Sequence, residues 1–369
     1  MARISVLATP RDQNPYQDLL YEGVSALGVR VRYADGLTPS QTLNILLAPF
    51  LLVWYRIRGY RVLHIHWIFQ FALPWAGDAA WTRYVMEWWF RLYLFGAAHL
   101  GFKMVWTAHD LLPFQQVFRD DARARARLMA KTRAIIALSN ASAAELRDLG
   151  AKDVYVVPFG SYLIPYSMNM SRDEARANLG FAPDDVVVTL MGRVERYKGA
   201  DLLLMAAQQL PSTSKIRVMI VGSCSEDGYR NELIDLALSI QDRAVLNLEW
   251  IPEDQLGRYL QASDFAAFPF RGITNSSSVM LAESFGLPVV IPNLSLLADV
   301  PGETAIRYVP ESETGIGPLV AALESAEHLS RDVYDAMSSA ASAWAHSCDW
   351  SVVARRTVDV YETVLGISH

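Results

Sequence analysis

The sequence predicts an α/β protein built from two doubly wound parallel sheets in tandem, and three observations predict it. Short aliphatic or β-branched runs alternate with helix-period segments, a Gly-, Pro-, Ser- and Asn-rich break spans 159–169, and the alternation then restarts. A chain of 369 residues accommodates two ordinary domains, each with its own core. Ligands of such sheets bind at the carboxyl ends of strands, so the expected site is a cleft between two lobes.

In the first half, strands are expected at 4–8, 29–33, 62–66, 104–108, 134–139 and 155–158, with helices over 17–27 and 121–131. In the second, strands are expected at 186–191, 216–221, 245–248, 265–268 and 289–291. Helices are expected over 200–209, 229–240, 252–262 and 279–285. Pro252-Glu253-Asp254 opens its helix with proline in the first turn and acids at the positive end of the dipole. The tail from Trp350 to Leu365 reads as a helix packing back across the lobes. The domains that follow are 1–160, 161–345 and a helical segment 346–369.

With 52% hydrophobic and 20% charged residues the chain is globular, not disordered. Its two cysteines, Cys224 and Cys348, have no metal-ligand spacing, which argues against a zinc site or disulfide framework. Met1–Leu7 runs straight into a strand with no signal-peptide pattern, so the reading is cytoplasmic.

Charge divides unevenly: residues 1–160 carry a balance of +6 and the remainder −12. No aromatic-basic recognition motif accompanies the basic half, so nucleic acid is not the expected partner. An anionic membrane surface is, because two apolar stretches lie there. The first is Leu43–Tyr55, followed by Arg56, Arg58 and Arg61; the second runs from Trp81 to Lys103. Pro49 interrupts the first, and Glu87, Arg91 and His99 the second. Neither has the roughly 20 uninterrupted apolar residues that a span requires. They read as interfacial helices with Trp, Tyr and Arg at headgroup level, the alternative being core helices packed on a sheet. The protein is then expected at the inner face of the membrane, peripherally.

The strongest chemical signal is Met191-Gly192-Arg193-Val194-Glu195-Arg196-Tyr197-Lys198-Gly199-Ala200. A strand ends at Gly192, a basic loop follows, and a helix begins near Gly199. Arg193 as a fork and Lys198 as a point charge can converge on one diphosphate, and glycine permits close backbone approach. The alternative is a solvated basic turn. The second signal is the loop before Asn275-Ser276-Ser277-Ser278, where small hydroxylated residues open a helix and leave backbone N–H groups for an anion. Simple N-capping by those serines is the plainer reading. Glu283 falls about two turns inside that helix, placed to accept ribose hydroxyls.

The chain resembles the GT-B glycosyltransferases, specifically glycosyltransferase family 4 (glycosyl transferases group 1). The resemblance covers the C-terminal half in order: Gly192-Arg193 with Lys198-Gly199, Val221-Gly222-Ser223, Trp250–Leu256, Ala262-Ser263-Asp264-Phe265, and Leu281-Ala282-Glu283-Ser284-Phe285-Gly286-Leu287-Pro288-Val289-Val290. It implies two Rossmann-like domains facing an interdomain cleft. It also implies that Arg193 and Lys198 bind the donor diphosphate, Glu283 the ribose, and the backbone near Ile251 the base. Donor contacts are thus expected from Gly192, Arg193, Lys198, Ile251, Asn275, Ser276, Ser277, Ser278 and Glu283.

In the N-terminal half, His64-Ile65-His66-Trp67 and Trp106-Thr107-Ala108-His109-Asp110 resemble two strand ends of such enzymes, and His109 matches the histidine beside the donor sugar. From the residues alone, His109 is a hydrogen-bond donor, a general base or a packed core residue. His64 and His66 share one side of a strand, but no third ligand is apparent and no metal is expected. The family's first glutamate is Asn275 here, and Pro10–Tyr16 replaces its Gly-Gly loop. An amide cannot supply negative charge to an oxocarbenium ion, so retention and inversion both stay open. For inversion the candidate bases are Asp12, Asp110 and His109.

The expected catalytic residues are His109, Asp110 and Asn275, and the expected acceptor-binding residues Asp12, Tyr16, His66 and Trp67. The expected reaction is transfer of a hexose from a UDP- or GDP-sugar to a lipid-linked or growing saccharide, as in exopolysaccharide or glycolipid assembly, with no cofactor. The alternatives are a catalytically silent sugar-nucleotide-binding subunit and a sugar-nucleotide epimerase.

Overall fold

A computed structural model describes residues 4–12, 15–34, 38, 40–70, 80–113, 116–162, 170–272, 277–312 and 315–367. The chain divides into two compact units, Met1–Gly160 with Trp350–His369, and Ser161–Asp349.

The first unit runs β1 (Ser5–Thr9), α1 (Pro15–Ala26), β2 (Arg30–Tyr33), α2 (Gln41–Ile57), β3 (Val62–Ile65), α3 (Ala80–His99), β4 (Lys103–Ala108), α4 (Asp121–Lys131), β5 (Ala134–Ala137), α5 (Asn140–Asp148) and β6 (Val154–Val156). Its strands form one parallel sheet in the order β2-β1-β3-β4-β5-β6. Strands with helices between them must cross over, so the sheet is covered on both faces and β1, β3 and β5 are buried throughout.

The second unit runs α6 (Arg172–Leu179), β7 (Val186–Met191), α7 (Ala200–Gln209), β8 (Ile216–Val221), α8 (Asp227–Leu238), β9 (Ala244–Asn247), α9 (Glu253–Ala262), β10 (Phe265–Ala267), α10 (Ser277–Ser284), β11 (Val289–Pro292), β12 (Ala305–Tyr308), α11 (Gly317–Glu327) and α12 (Arg331–Ser347). Its parallel sheet has the order β12-β11-β10-β7-β8-β9. The fold class is as expected: two six-stranded parallel sheets with flanking helices.

Helix α13 (Trp350–Leu365) belongs to the first unit, packed on α1. It buries Trp350, Val353, Ala354, Val358, Val360 and Tyr361, about 1.5–3 kcal/mol for each large side chain. Trp350 lies against Gly160, where a Cβ would come within 2.4 Å of its ring. The presumed linker is therefore ordered at its start. Gly160, Ser161 and Tyr162 are buried, and the Ser161 and Tyr162 amides donate to the Cys348 carbonyl and to Ser284 Oγ. Residues 163–169 of that linker lie outside the described residues.

Both apolar stretches of the first half are helices, and each puts one face into the core, as the core-helix alternative expects. Ile45, Ala48 and Leu52 of α2, with Met86, Phe90, Tyr93 and Leu94 of α3, enter the core. The opposite faces leave Phe50, Trp54, Ile57, Trp81 and Trp88 exposed. Pro49 does not end α2, although it forfeits one i→i−4 hydrogen bond; the core contacts on either side of it hold the helix. No helix among the described residues is long and apolar enough to cross a membrane.

Candidate functional site

In the second unit, β7 ends at Met191 and the chain turns at Gly192, whose φ of +91° excludes most side chains. A Cβ there would also lie 2.9 Å from Lys198 Nζ and 3.2 Å from Ser278 Oγ. Gly192, Lys198 and Ser278 therefore meet at one point, where the loop after β7 adjoins the start of α10. Lys198 Nζ donates to Ser278 Oγ at 2.9 Å and to the Met191 carbonyl at 3.3 Å. Lys198 is buried, and among the described residues its partners are neutral oxygens. Burial, with Arg193 adding to it, pushes its ammonium down to about 8, so it is still largely charged at neutral pH. A buried cation hydrogen-bonded only to neutral groups is a seat for an anion. Arg193 is 75% exposed, with a loose 3.5 Å ion pair to Glu195, so its guanidinium can swing to a ligand.

Ser277 and Ser278 are the first residues of α10, so their N–H groups are among the four that a helix leaves unsatisfied. Asn275 and Ser276 lie outside the described residues. Glu283, on the same helix, is fully buried. Its Oε1 accepts from Thr304 Oγ1 at 2.5 Å, while Oε2 is a buried oxygen without a hydrogen-bond partner among the described residues. Burial pushes the carboxyl up to about 8. An orphaned carboxyl oxygen in a polar site fits a ligand hydroxyl, as acceptor or, when protonated, as donor. Ile251 follows β9 and is half-buried beside the cluster of Phe181, Met219, Val221 and Tyr259.

Three further residues hold these loops, and sequence reasoning missed them. Arg271, in the loop after β10, makes a two-pronged ion pair with Asp201 in the first turn of α7, at 2.9 and 2.5 Å. Tyr229 donates to the same carboxylate at 2.7 Å, and the Arg271 guanidinium also donates to the Arg196 carbonyl at 2.7 Å. The Arg271 amide donates to the Tyr197 carbonyl, and a Cβ on Gly199 (φ +73°) would meet the Pro269 carbonyl oxygen at 2.2 Å. The Lys198 loop and the loop after β10 are thus clamped together. A pairing 70 residues apart leaves no local sequence signal.

The first unit collects a different chemistry. His64, in β3, and His66, just past it, do face one side: their ring centroids are 4.2 Å apart. Tyr21 of α1 reaches His66 Nε2 at 2.6 Å, and His66 Nδ1 reaches His109 Nε2 at 3.1 Å. The His109 ring stacks on Trp67 at 4.1 Å and 15°, with the edge of Tyr16 4.8 Å away. Tyr16, His66 and His109 are buried, and Trp67, Asp110 and Asp12 are half-buried. No group of three or more metal-binding side chains occurs among the described residues. Burial pushes His64 and His109 down to about 3; burial, with help from both neighbouring imidazoles, also lowers His66 well below the usual imidazole range. His109 is therefore neutral at physiological pH. Burial and stacking on Trp67 fit the hydrogen-bond donor and packed-core readings of His109 alike.

Residues 185–330 match the family described as glycosyl transferases group 1. They form a group 1 glycosyl transferase domain. Lys198, Ser278 and Glu283 all lie inside it. The D-inositol 3-phosphate glycosyltransferase of Nocardia farcinica is 30% identical over 262 residues, 66% of this chain and 55% of that protein. The chain spans about half or less of the length of the first curated relatives it matches. Among solved structures, sucrose-phosphate synthase from Thermosynechococcus elongatus superposes with a TM-score of 0.73 at 18% identity, over 99% of this chain and 100% of that one. Anabaena HepE in complex with UDP gives 0.71 at 16%, over 98% and 100%. Both likenesses show the GT-B fold.

Proposed function

We propose that the protein is a glycosyltransferase that moves a hexose from a UDP- or GDP-sugar to a lipid-linked or growing saccharide acceptor. The observation that carries the reading is the buried Lys198 ammonium, held against Ser278 with neutral partners among the described residues, inside a group 1 glycosyl transferase domain. Lys198, Arg193 and the N–H groups opening α10 take the diphosphate, with Gly192 allowing close approach. The charge on the leaving nucleotide is offset by these groups. Glu283 hydrogen-bonds a ribose hydroxyl through Oε2, and the backbone at Ile251 meets the base. Asn275 and Ser276 complete the donor contacts.

His109 donates a hydrogen bond to the transferred sugar. The proton of the acceptor hydroxyl then falls to Asp110 or Asp12, since a carboxylate is charged at a pH where the buried imidazole is neutral. Trp67 and Asp12 line the acceptor site, with Tyr16 and His66 behind them.

The acceptor's lipid carrier is met at an anionic membrane surface, by the outer faces of α2 and α3. Phe50 is 73% and Ile57 79% exposed on α2, and Trp88 is 64% exposed on α3. Helix α2 contains no acidic residue, and the one acid of α3, Glu87, is buried in an ion pair with Arg127. Arg58 lies over Trp54 at 4.2 Å and Arg119 over Tyr84 at 4.8 Å, which pairs apolar rings with cations as a headgroup layer requires. Attraction of about 1 kcal/mol per basic residue supplements the apolar burial. The protein then works peripherally at the cytoplasmic face.

The test is a screen of nucleotide sugars against a membrane lipid extract, with the anomeric configuration of the product assigned. Transfer from a UDP- or GDP-sugar is expected. Tight nucleotide binding without turnover would instead favour the silent binding subunit that Asn275 brings to mind, and conversion of free donor without acceptor would favour an epimerase. Flotation with anionic liposomes should carry the protein upward, and a Phe50→Ser/Trp88→Ser variant should stay in the soluble fraction.

A further inference from the structure

Glu283 of α10 meets Thr304, which immediately precedes β12, inside the second unit. Thr304 Oγ1 lies 2.5 Å from Glu283 Oε1, at the short end for an O–H···O hydrogen bond. Both residues are fully buried, which keeps bulk water off the contact. Among the described residues Thr304 is the one hydrogen-bond partner of the carboxyl, so Oε1 is engaged and Oε2 is left over.

The contact matters because a glutamate does not fix its own carboxyl plane. Its last torsion joins a tetrahedral carbon to a trigonal one, and such torsions are broad where the preceding ones have staggered wells. Placement on α10 therefore brings the Glu283 side chain to its site but leaves open where each oxygen points. A hydrogen bond to Oε1 removes that freedom, because the group is planar and holding one oxygen holds the other. The outcome is the same in either protonation state. An ionised carboxylate accepts from the Thr304 hydroxyl. A carboxyl protonated on Oε1 donates to Thr304 Oγ1, whose own hydrogen then turns to the Pro301 carbonyl at 3.0 Å.

Thr304 itself stands on a held turn. Its amide donates to the Pro301 carbonyl at 3.2 Å. Arg307 Nη2, from β12, donates to the Leu297 and Val300 carbonyls at 2.9 and 2.6 Å. The segment 297–304 is thus tied to the edge strand of the second sheet.

We propose that Thr304 is a positioning residue for ribose recognition: it orients the Glu283 carboxyl so that Oε2 meets a ribose hydroxyl, and so sets a preference for ribose over deoxyribose. This role rests on the ribose contact of Glu283 proposed above. Thr304 acts through Glu283 and leaves the diphosphate seat of Lys198 and Ser278 to itself.

The test is calorimetric titration of UDP or GDP, whichever binds, and of its 2′,3′-dideoxy counterpart, into wild type, Thr304→Val and Thr304→Ser. Valine keeps the shape without the hydroxyl, and serine keeps the hydroxyl. The wild type should bind the ribonucleotide about tenfold or more tightly than the dideoxy form, the worth of one buried hydrogen bond. Thr304→Val should reduce that preference to about threefold or less, through weaker ribonucleotide binding alone, and Thr304→Ser should keep it. A protein that has merely lost stability weakens on both nucleotides together. Equal losses in Thr304→Val would therefore overturn the proposal, as would a Thr304→Ser that behaves like the valine variant. A preference present in wild type and undiminished in Thr304→Val would remove the role of Thr304 and leave that of Glu283 standing. A wild type that binds both forms equally, or binds neither, would remove the ribose contact of Glu283 and this proposal with it.

Discussion

The two units solve the problem of a buried polar site in opposite ways. In the second, an ammonium, a carboxyl and helix-end amides are drawn together within one domain, and Lys198 and Glu283 both carry strongly shifted proton affinities. In the first, three imidazoles and two tyrosines share a site with no net charge, each group satisfied by another. Among the described residues the second unit holds a buried ammonium with neutral partners and a buried carboxyl oxygen, Glu283 Oε2, with no hydrogen-bond partner. A neutral network is complete in itself and works as a scaffold. On the function proposed here, the second unit receives the donor and the first holds His109 still.

The comparison breaks most visibly at two glycines. Gly160→Val should force Trp350 out of the first unit, since even a Cβ would sit 2.4 Å from its ring. Losing a buried tryptophan costs about 3–5 kcal/mol. Urea unfolding followed by tryptophan fluorescence should register that loss, with nucleotide affinity unchanged. Gly192→Val should do the reverse. A positive φ and the 2.9 Å approach to Lys198 Nζ impose strain of about 1–3 kcal/mol at the anion seat, so nucleotide affinity should fall roughly 10- to 100-fold by calorimetry, with the first unit intact.

Acidity sharpens the contrast. His64 and His109 fold with pKa values depressed from 6.5 to about 3, so the unfolded chain binds more protons between those values, and the first unit loses stability as pH falls through that range. Glu283 has the opposite sign. Its folded pKa is raised from 4.5 to about 8, so its contribution is fully present below 4.5 and is lost as pH rises toward 8. Hydrogen-exchange protection, corrected for intrinsic rates, should therefore decline in β3 and β4 on acidification and in α10 on alkalinisation. The smallest effect is expected for Arg271→Lys, which keeps the charge on Asp201 but loses the two-pronged pairing; nucleotide affinity should fall about tenfold or less.

How much of this could be read from the sequence follows the same division. The expected strands of the second half match β7 and β8 at both ends, and Gly192, Lys198, Ser278 and Glu283 were singled out because each sits in a short motif with local meaning. Strand β12 escaped because Ala305–Tyr308 is short and half-buried, without alternation. Helix α6 escaped although Ser171 and Glu174 form a capping box, a signal that was present and unused. The Asp201–Arg271 clamp and the Tyr21–His66 contact join residues 70 and 45 positions apart, and no periodicity reports such pairs. His109 was legible as a candidate, but its charge state was not. That depends on what buries it.

The central claim is that Lys198 is held as a buried cation for a diphosphate. Calorimetric titration of UDP and GDP into wild type and Lys198→Ala at neutral pH tests it most directly. One nucleotide should bind the wild type and lose about 10- to 100-fold in affinity in the variant, as expected when a charged hydrogen bond worth about 1.5–3 kcal/mol is removed. Equal affinity in the two proteins would contradict the account.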